Sequence, residues 1–170
     1  MATLKIINSK NKYHDDKSFE DVLNYITSKQ KTDIHLIGWF NVSSVKSAAE
    51  EMAQLSESYG KLSGVRLRHF IISFPKNMFM PEDHSYVFAI SKDIAKFYAA
   101  EYQIVFAVHI NKQHIHTHFV FNAVSYRSGM KYKGQKSELY RFMRHCNIVF
   151  SKHKLLDFIR YEKLDKATEI

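Results

Sequence analysis

The sequence predicts an α+β fold, a mainly antiparallel central sheet with helices packed on it. Three observations carry that reading. Apolar residues recur with strand and helix periods in the order β-α-β-α-β-α-β-β-α. The last two strands follow one another across a short loop and form a hairpin. The 170 residues are 45% hydrophobic, with only 5 Gly and 2 Pro, a composition that suits one globular domain over 1–170 rather than a disordered segment.

Each element has its own signal. Leu4 to Asn8 is a short strand. Ser18 opens a helix with Asp21 three residues on, in the manner of a capping box, and Phe19, Val22, Leu23 and Ile26 form its apolar stripe. Ile34 to Val42 reads as a strand. A helix from about Val45 sets Ala48, Ala49, Met52, Leu55 and Tyr59 on one side and stops at Gly60. Arg66 to Phe74 is a strand ended by Pro75. Asp83 to Ala100 is helical, with Val87, Ile90, Ile94, Phe97 and Tyr98 inward. Gln103 to His109 and His114 to Tyr126 are the hairpin strands, and Arg127 to Lys136 is a basic loop. Ser137 caps a last helix with Leu139, Phe142, Met143, Cys146 and Phe150 inward, and the tail from Leu155 is expected to be helical. Its charged end suggests the N-terminal part of a longer protein.

Composition narrows the function. The formal net charge of +8 directs the chain towards polyanions, nucleic acid first or a membrane surface. The single cysteine, Cys146, rules out a disulfide framework within the chain. No apolar run approaches the roughly 20 residues of a membrane span, and Met1 to Ser9 lacks the layout of a signal peptide, so a cytoplasmic protein without membrane insertion is the expectation.

The chemistry concentrates in Ala107 to Asn122. Side chains alternate across a strand, so His114, His116, His118, Val120 and Asn122 share one face while Ile115, Thr117, Phe119 and Phe121 share the other. On the preceding strand Val105, Ala107 and His109 face one way and Ile104, Phe106, Val108 and Ile110 the other. Pairing merges the apolar sets into a core and leaves the histidines on an open face. Cross-strand and diagonal neighbours lie within about 4.5–8 Å, close enough for several imidazoles to converge on a divalent cation with positions left for water or substrate. The pattern leaves open which three of His109, His114, His116 and His118 ligate. The favoured set is His109, His116 and His118, with His114 nearer the loop for phosphate contact or proton transfer.

The His-x-His strand ending FVFN resembles the HUH (His-hydrophobic-His) endonucleases, and over nearly its whole length the chain is similar to the relaxase/mobilisation nuclease domain of the MobP group. That group carries a His, a spaced His-x-His-x-His and then an Asn, as His109, His114, His116, His118 and Asn122 do here. The resemblance implies a two-layer or three-layer sandwich and a Mg²⁺ or Mn²⁺ ion, with other divalent ions able to occupy the three-His site. It also implies Asn122 and Asn111 as supporting residues behind the ligands. The family often has an acidic residue two places after the first histidine, where Asn111 stands here. A second acidic position soon after Ser73–Phe74 is represented only by the more distant Glu82.

The resemblance further implies a nucleophilic tyrosine in an N-terminal helix followed by Lys-Thr. LNYITSKQKTD supplies Tyr25, then Lys31 and Thr32. At about 100° per residue Tyr25 lies at the edge of the Phe19/Val22/Leu23/Ile26 stripe, where its hydroxyl can reach a cleft. Tyr13 is the nearest competitor. His69, in RHFIISF, matches a family position before Ser-Phe and could contact phosphate or assist Tyr25.

The implied reaction is nicking of single-stranded origin-of-transfer DNA through a 5′-phosphotyrosine link, with rejoining, assisted by accessory relaxosome proteins and a coupling protein. Arg127, Lys131, Lys133 and Lys136, with Tyr126 and Tyr132 interleaved, and Lys29 and Lys31 beyond Tyr25, are the expected DNA contacts. Rival readings are a rolling-circle replication initiator, which usually places its tyrosine after the histidines, a metal-dependent nuclease using activated water, and a non-catalytic nucleic-acid-binding module.

Overall fold

The computed structural model describes residues 1–7, 12–76, 78–112 and 114–163. The hairpin forms as its alternation requires: β4 (Ile104–His109) and β5 (His116–Asn122) pair antiparallel with His109 opposite His116 and Ala107 opposite His118. Every residue of both strands is buried, because helices cover both faces. Around this hairpin β1 (Ala2–Ile7), β2 (Ile37–Phe40), β3 (Leu67–Ser73) and β6 (Ile159–Tyr161) complete a sheet of order β2-β4-β5-β3-β1-β6. Its pairings are antiparallel except β1 with β6, which run parallel.

Four α-helices among the described residues close the two faces: α1 (Lys17–Ile26), α2 (Ala48–Ser58), α3 (His84–Ala99) and α4 (Lys136–Lys152). On one face Phe70, Ile72, Ile104, Phe106, Val108, Phe119 and Phe121 pack against Val87, Ile90, Ile94 and Tyr98 of α3 and Phe142, Cys146, Val149 and Phe150 of α4. On the other, Leu67, Val105, Ala107 and Val120 meet Phe19, Val22, Leu23 and Ile26 of α1 and Ala48 and Met52 of α2. The result is a three-layer sandwich. The histidine face is therefore not open as expected, since the stripe of α1 docks on the small and β-branched residues beside the histidines. Burying such side chains contributes about 1.5–3 kcal/mol each, as an upper bound, and α1 is held by this contact.

Several boundaries differ from the sequence reading for local reasons. Helix α1 begins at Lys17, and Ser18 is not its cap; instead Asp15 accepts from both the backbone N–H and the hydroxyl of Ser18. The expected strand Ile34–Val42 starts later, because Asp33 accepts from His35 N–H and winds Ile34–Leu36 into a 3₁₀ turn. It ends at Phe40, because Asn41 turns left-handed at φ 62° and donates to the carbonyls of Ala99 and Tyr102. Gly60, at φ 65°, does end α2, with Lys61 N–H returning to Ser56 O. Helix α4 starts at Lys136 with no side-chain cap, so Ser137 lies inside its first turn. The tail is not helical over its described part. Its backbone pairs with the outer edge of β1, through Ala2 N–H to Phe158 O and Glu162 N–H to Leu4 O, making β6. The remainder of that expected helix and Asn8 lie outside the described residues.

Candidate metal and phosphate site

The antiparallel register sets three imidazoles together at one end of the hairpin. Ring centroids of His109 and His118 are 4.2 Å apart, those of His109 and His116 5.1 Å, and those of His116 and His118 5.2 Å. One nitrogen from each of these rings can be chosen so that all three lie within 4.8 Å of one another. All three rings are buried. Burial pushes His116 down to about 4 and lowers His109 and His118, with the charges of Lys31 and Lys112 acting in the same direction. They are neutral at pH 7 with lone pairs free for a cation, as metal ligation requires.

Hydrogen bonds decide which lone pair each ring offers. His109 Nε2 donates to the carbonyl of Ile26, 2.7 Å away, at the end of α1, which leaves Nδ1. His116 Nδ1 donates to the carbonyl of His114 at 3.3 Å, which leaves Nε2. His118 Nδ1 lies 2.8 Å from His69 Nε2, which leaves Nε2. Each ring is thus gripped by the protein through one nitrogen and presents the other, the usual arrangement of an oriented histidine ligand. The three-His donor set fits a divalent cation and would leave further coordination positions open. The C-terminal end of α1 points its partial negative charge at the same place.

Tyr25 stands over this cluster. Its ring centroid is 5.8 Å from that of His118 and 6.3 Å from that of His109, while the residue remains 50% exposed. Val22, Leu23 and Ile26 anchor the helix beneath it. Lys31 reaches back over the Tyr25 ring, Nζ 3.2 Å from the centroid, on a loop fixed to β4 by Ile110 N–H to Lys31 O. His114 is half-buried before β5, outside the three-ring group, with its Nδ1 lacking a partner.

The other expected site residues are distributed differently. His69 is 5% exposed with both ring nitrogens engaged, to His118 and to the Tyr13 hydroxyl at 2.9 Å, so it is not open to phosphate. Burial pushes it down to about 3. Asn122 is not behind the ligands. Its Nδ2 donates to Met52 O and Gln103 Oε1, and its Oδ1 accepts from Ser56 Oγ and Val124 N–H. It lies four residues beyond His118, roughly 13 Å along the strand, and clamps α2 to the sheet. Asn111 is exposed in the turn after β4.

The loop lysines are also far from the rings. The turn joining β4 to β5 is at the histidine end, whereas the loop after Asn122 is at the opposite end, roughly 20 Å from His116 along the strand. There Lys131 donates to Ser63 O, Arg127 to Ala100 O, Lys136 lies over Tyr140 and Lys133 is exposed. Lys29 is exposed just beyond α1. Among the described residues, lysines whose charge acts on these histidines include Lys12, Lys31 and Lys112. Sequence reading missed Lys12 and Lys112. For Lys112 the signal was available, since a hairpin's connecting turn shares an end with the residues that flank it.

Among the described residues no helix is long and apolar enough to cross a membrane. Residues 25–155 match the family described as "Relaxase: MobA/VirD2-like, nuclease domain". Two Staphylococcus aureus proteins named "Protein rlx" are each 28% identical over 140 residues, 81% of this chain. The chain spans 39% of the length of one and 38% of the other. A solved chain described as "Molecular Basis of Vancomycin Resistance Transfer in Staphylococcus aureus" aligns at TM-score 0.48 and 14% identity, covering 75% of this chain and 74% of that one.

Proposed function

This chain belongs to the MobA/VirD2-like relaxase nuclease family, and from that premise we propose that it nicks one strand of origin-of-transfer DNA through a covalent tyrosine intermediate. The observation that carries the reading is Tyr25: a half-exposed phenol whose ring is 5.8 Å from that of His118. The phenol oxygen attacks the scissile phosphorus and the 3′ oxygen leaves with a proton. The strand is left joined by its 5′ phosphate to Tyr25. Reversal rejoins it without ATP, because one phosphodiester replaces another.

A divalent ion, Mg²⁺ or Mn²⁺, held by His109, His116 and His118 supplies charge neutralisation at the non-bridging phosphate oxygens when bound. Tyr25 brings an oxygen nucleophile fixed by α1. Lys31 holds the Tyr25 ring and adds positive charge beside the phosphate. The unpartnered Nδ1 of His114 supports a role in taking a proton or holding a phosphate oxygen. Lys29 and Lys31 guide the strand to this end. Arg127, Lys131, Lys133 and Lys136 belong to a second basic surface at the other end, reached only by DNA that runs along the sheet. Accessory relaxosome proteins, a coupling protein and further domains belong to the same proposal, in a cytoplasmic setting.

The test uses the chain with an oligonucleotide pool spanning the origin of transfer of the element that encodes it, plus Mn²⁺ or Mg²⁺. A protein–DNA adduct on a denaturing gel, lost in Tyr25→Phe and with EDTA, is the expected result. Cleavage without an adduct, persisting in Tyr25→Phe, would reject the covalent route in favour of metal-activated water.

A further inference from the structure

We infer that Tyr13 and His69 are positioning residues, a hydrogen-bonded relay that fixes which nitrogen of His118 faces the cation. The inference rests on the metal reading above. His118 Nδ1 is 2.8 Å from His69 Nε2, and His69 Nδ1 is 2.9 Å from the Tyr13 hydroxyl. Three residues remote in sequence therefore form one chain, running from the loop before α1 through β3 to β5.

Only two hydrogen arrangements satisfy both contacts with neutral rings. In one, Tyr13 donates to His69 Nδ1, His69 Nε2 donates to His118 Nδ1, and the hydrogen of His118 sits on Nε2, where it blocks a cation. In the other, His118 Nδ1 donates to His69 Nε2, His69 Nδ1 donates to the Tyr13 oxygen, and His118 Nε2 is bare. Both carry the same number of protons. A bound cation selects the second, in which the Nδ1–H of His118 and the Nδ1–H of His69 each meet an acceptor within the relay. Supporting groups of this kind are most often carboxylates or backbone carbonyls. Here the position that the family resemblance assigns to an acidic residue is the exposed Asn111, and the clustered ligating group among the described residues contains histidines alone.

Tyr13 is built for a fixed role. Its backbone is left-handed at φ 65°, uncommon for a non-glycine residue and costly unless held by its surroundings. Its carbonyl accepts from Arg66 N–H, and buried Arg66 pairs with Asp16 beside α1. Burial raises the phenol to about 12, with Tyr25 nearby adding to the effect. Tyr13 is thus a neutral phenol tied into a hydrogen bond, whereas Tyr25 is half-exposed over the rings.

The full chain is titrated with Mn²⁺ by calorimetry, without DNA. His69→Leu is expected to weaken binding about 10–100-fold, the usual cost of a lost supporting partner. His69→Gln, whose amide oxygen can accept from His118 Nδ1, recovers most of that loss, and Tyr13→Phe loses less than His69→Leu. In the wild-type protein loaded with Mg²⁺, ring-nitrogen NMR is expected to find the hydrogens of His118 and His69 on Nδ1. Binding by folded His69→Leu within twofold of wild type, or a hydrogen on His118 Nε2 in the loaded protein, would overturn the relay alone. If His69→Leu does not fold, Tyr13→Phe and the wild-type spectrum decide. Wild-type protein that binds no divalent cation overturns the metal reading and the relay with it.

Discussion

The two ends of β5 carry buried polar side chains on the same face of the sheet, and they do opposite work. At the His116–His118 end each ring is fixed through one nitrogen and keeps the other for an outside partner. At the Asn122 end every polar atom of the side chain is engaged by α2, Gln103 or Val124. Burial alone does not separate a site from a clamp; an account of donors and acceptors does.

That contrast can be broken by exchange of roles, beginning with the largest effect. His118→Ala removes a ligand and is expected to abolish Mn²⁺ binding in calorimetry and adduct formation on gels, while the metal-free protein stays folded. Retained Mn²⁺ affinity would mean that His118 is a structural histidine like Asn122. Asn122→Ala should do the reverse. It strands Gln103 Oε1 and the Val124 N–H, costs roughly 2–4 kcal/mol, and lowers Tm by about 5–15 °C, with Mn²⁺ affinity kept in the folded fraction. A loss of affinity without a change in Tm would return Asn122 to the site.

A third measurement uses pH. His116 and His69 titrate near 6.5 when unfolded but are held by burial at about 4 and about 3 in the fold. Between those values and 6.5 the unfolded chain binds more protons, so stability rises with pH through that window and is lost as pH falls through it. Melting of the metal-free protein should show a Tm that declines from pH 7 to pH 4, and a flat profile would contradict the buried neutral rings. Asn122→Ala should shift this curve down without changing its shape. The smallest effect separates the two basic surfaces. Lys31→Ala should reduce the salt slope of single-stranded DNA binding by about one, and Lys133→Ala by less. Equal slopes would place DNA at both ends of the sheet.

The local parts of this architecture were legible in the sequence. Strict alternation of His114, His116, His118 and Asn122 follows from the two-residue period of a strand, and the stripe of α1 follows from helical spacing. What escaped is non-local. The edge pairing that makes β6 joins Ile159 to Ala2 across the whole chain, so a local pattern there reads as helix. Tyr13 and His69 meet across 56 residues, which gave no sign in either segment. The basic loop looked adjacent to the site because it follows the histidine strand in the chain, but a strand carries its two ends apart.

The carbonyl of Ile26 that orients His109 belongs to the residue next to Tyr25. The proposed nucleophile and the orientation of one ligand therefore hang from a single helical turn. Were α1 to lift from the sheet, the phenol and the carbonyl that holds His109 would be withdrawn together. Docking of one short amphipathic segment thus carries the proposed nucleophile and one proposed ligand into place with the same contact.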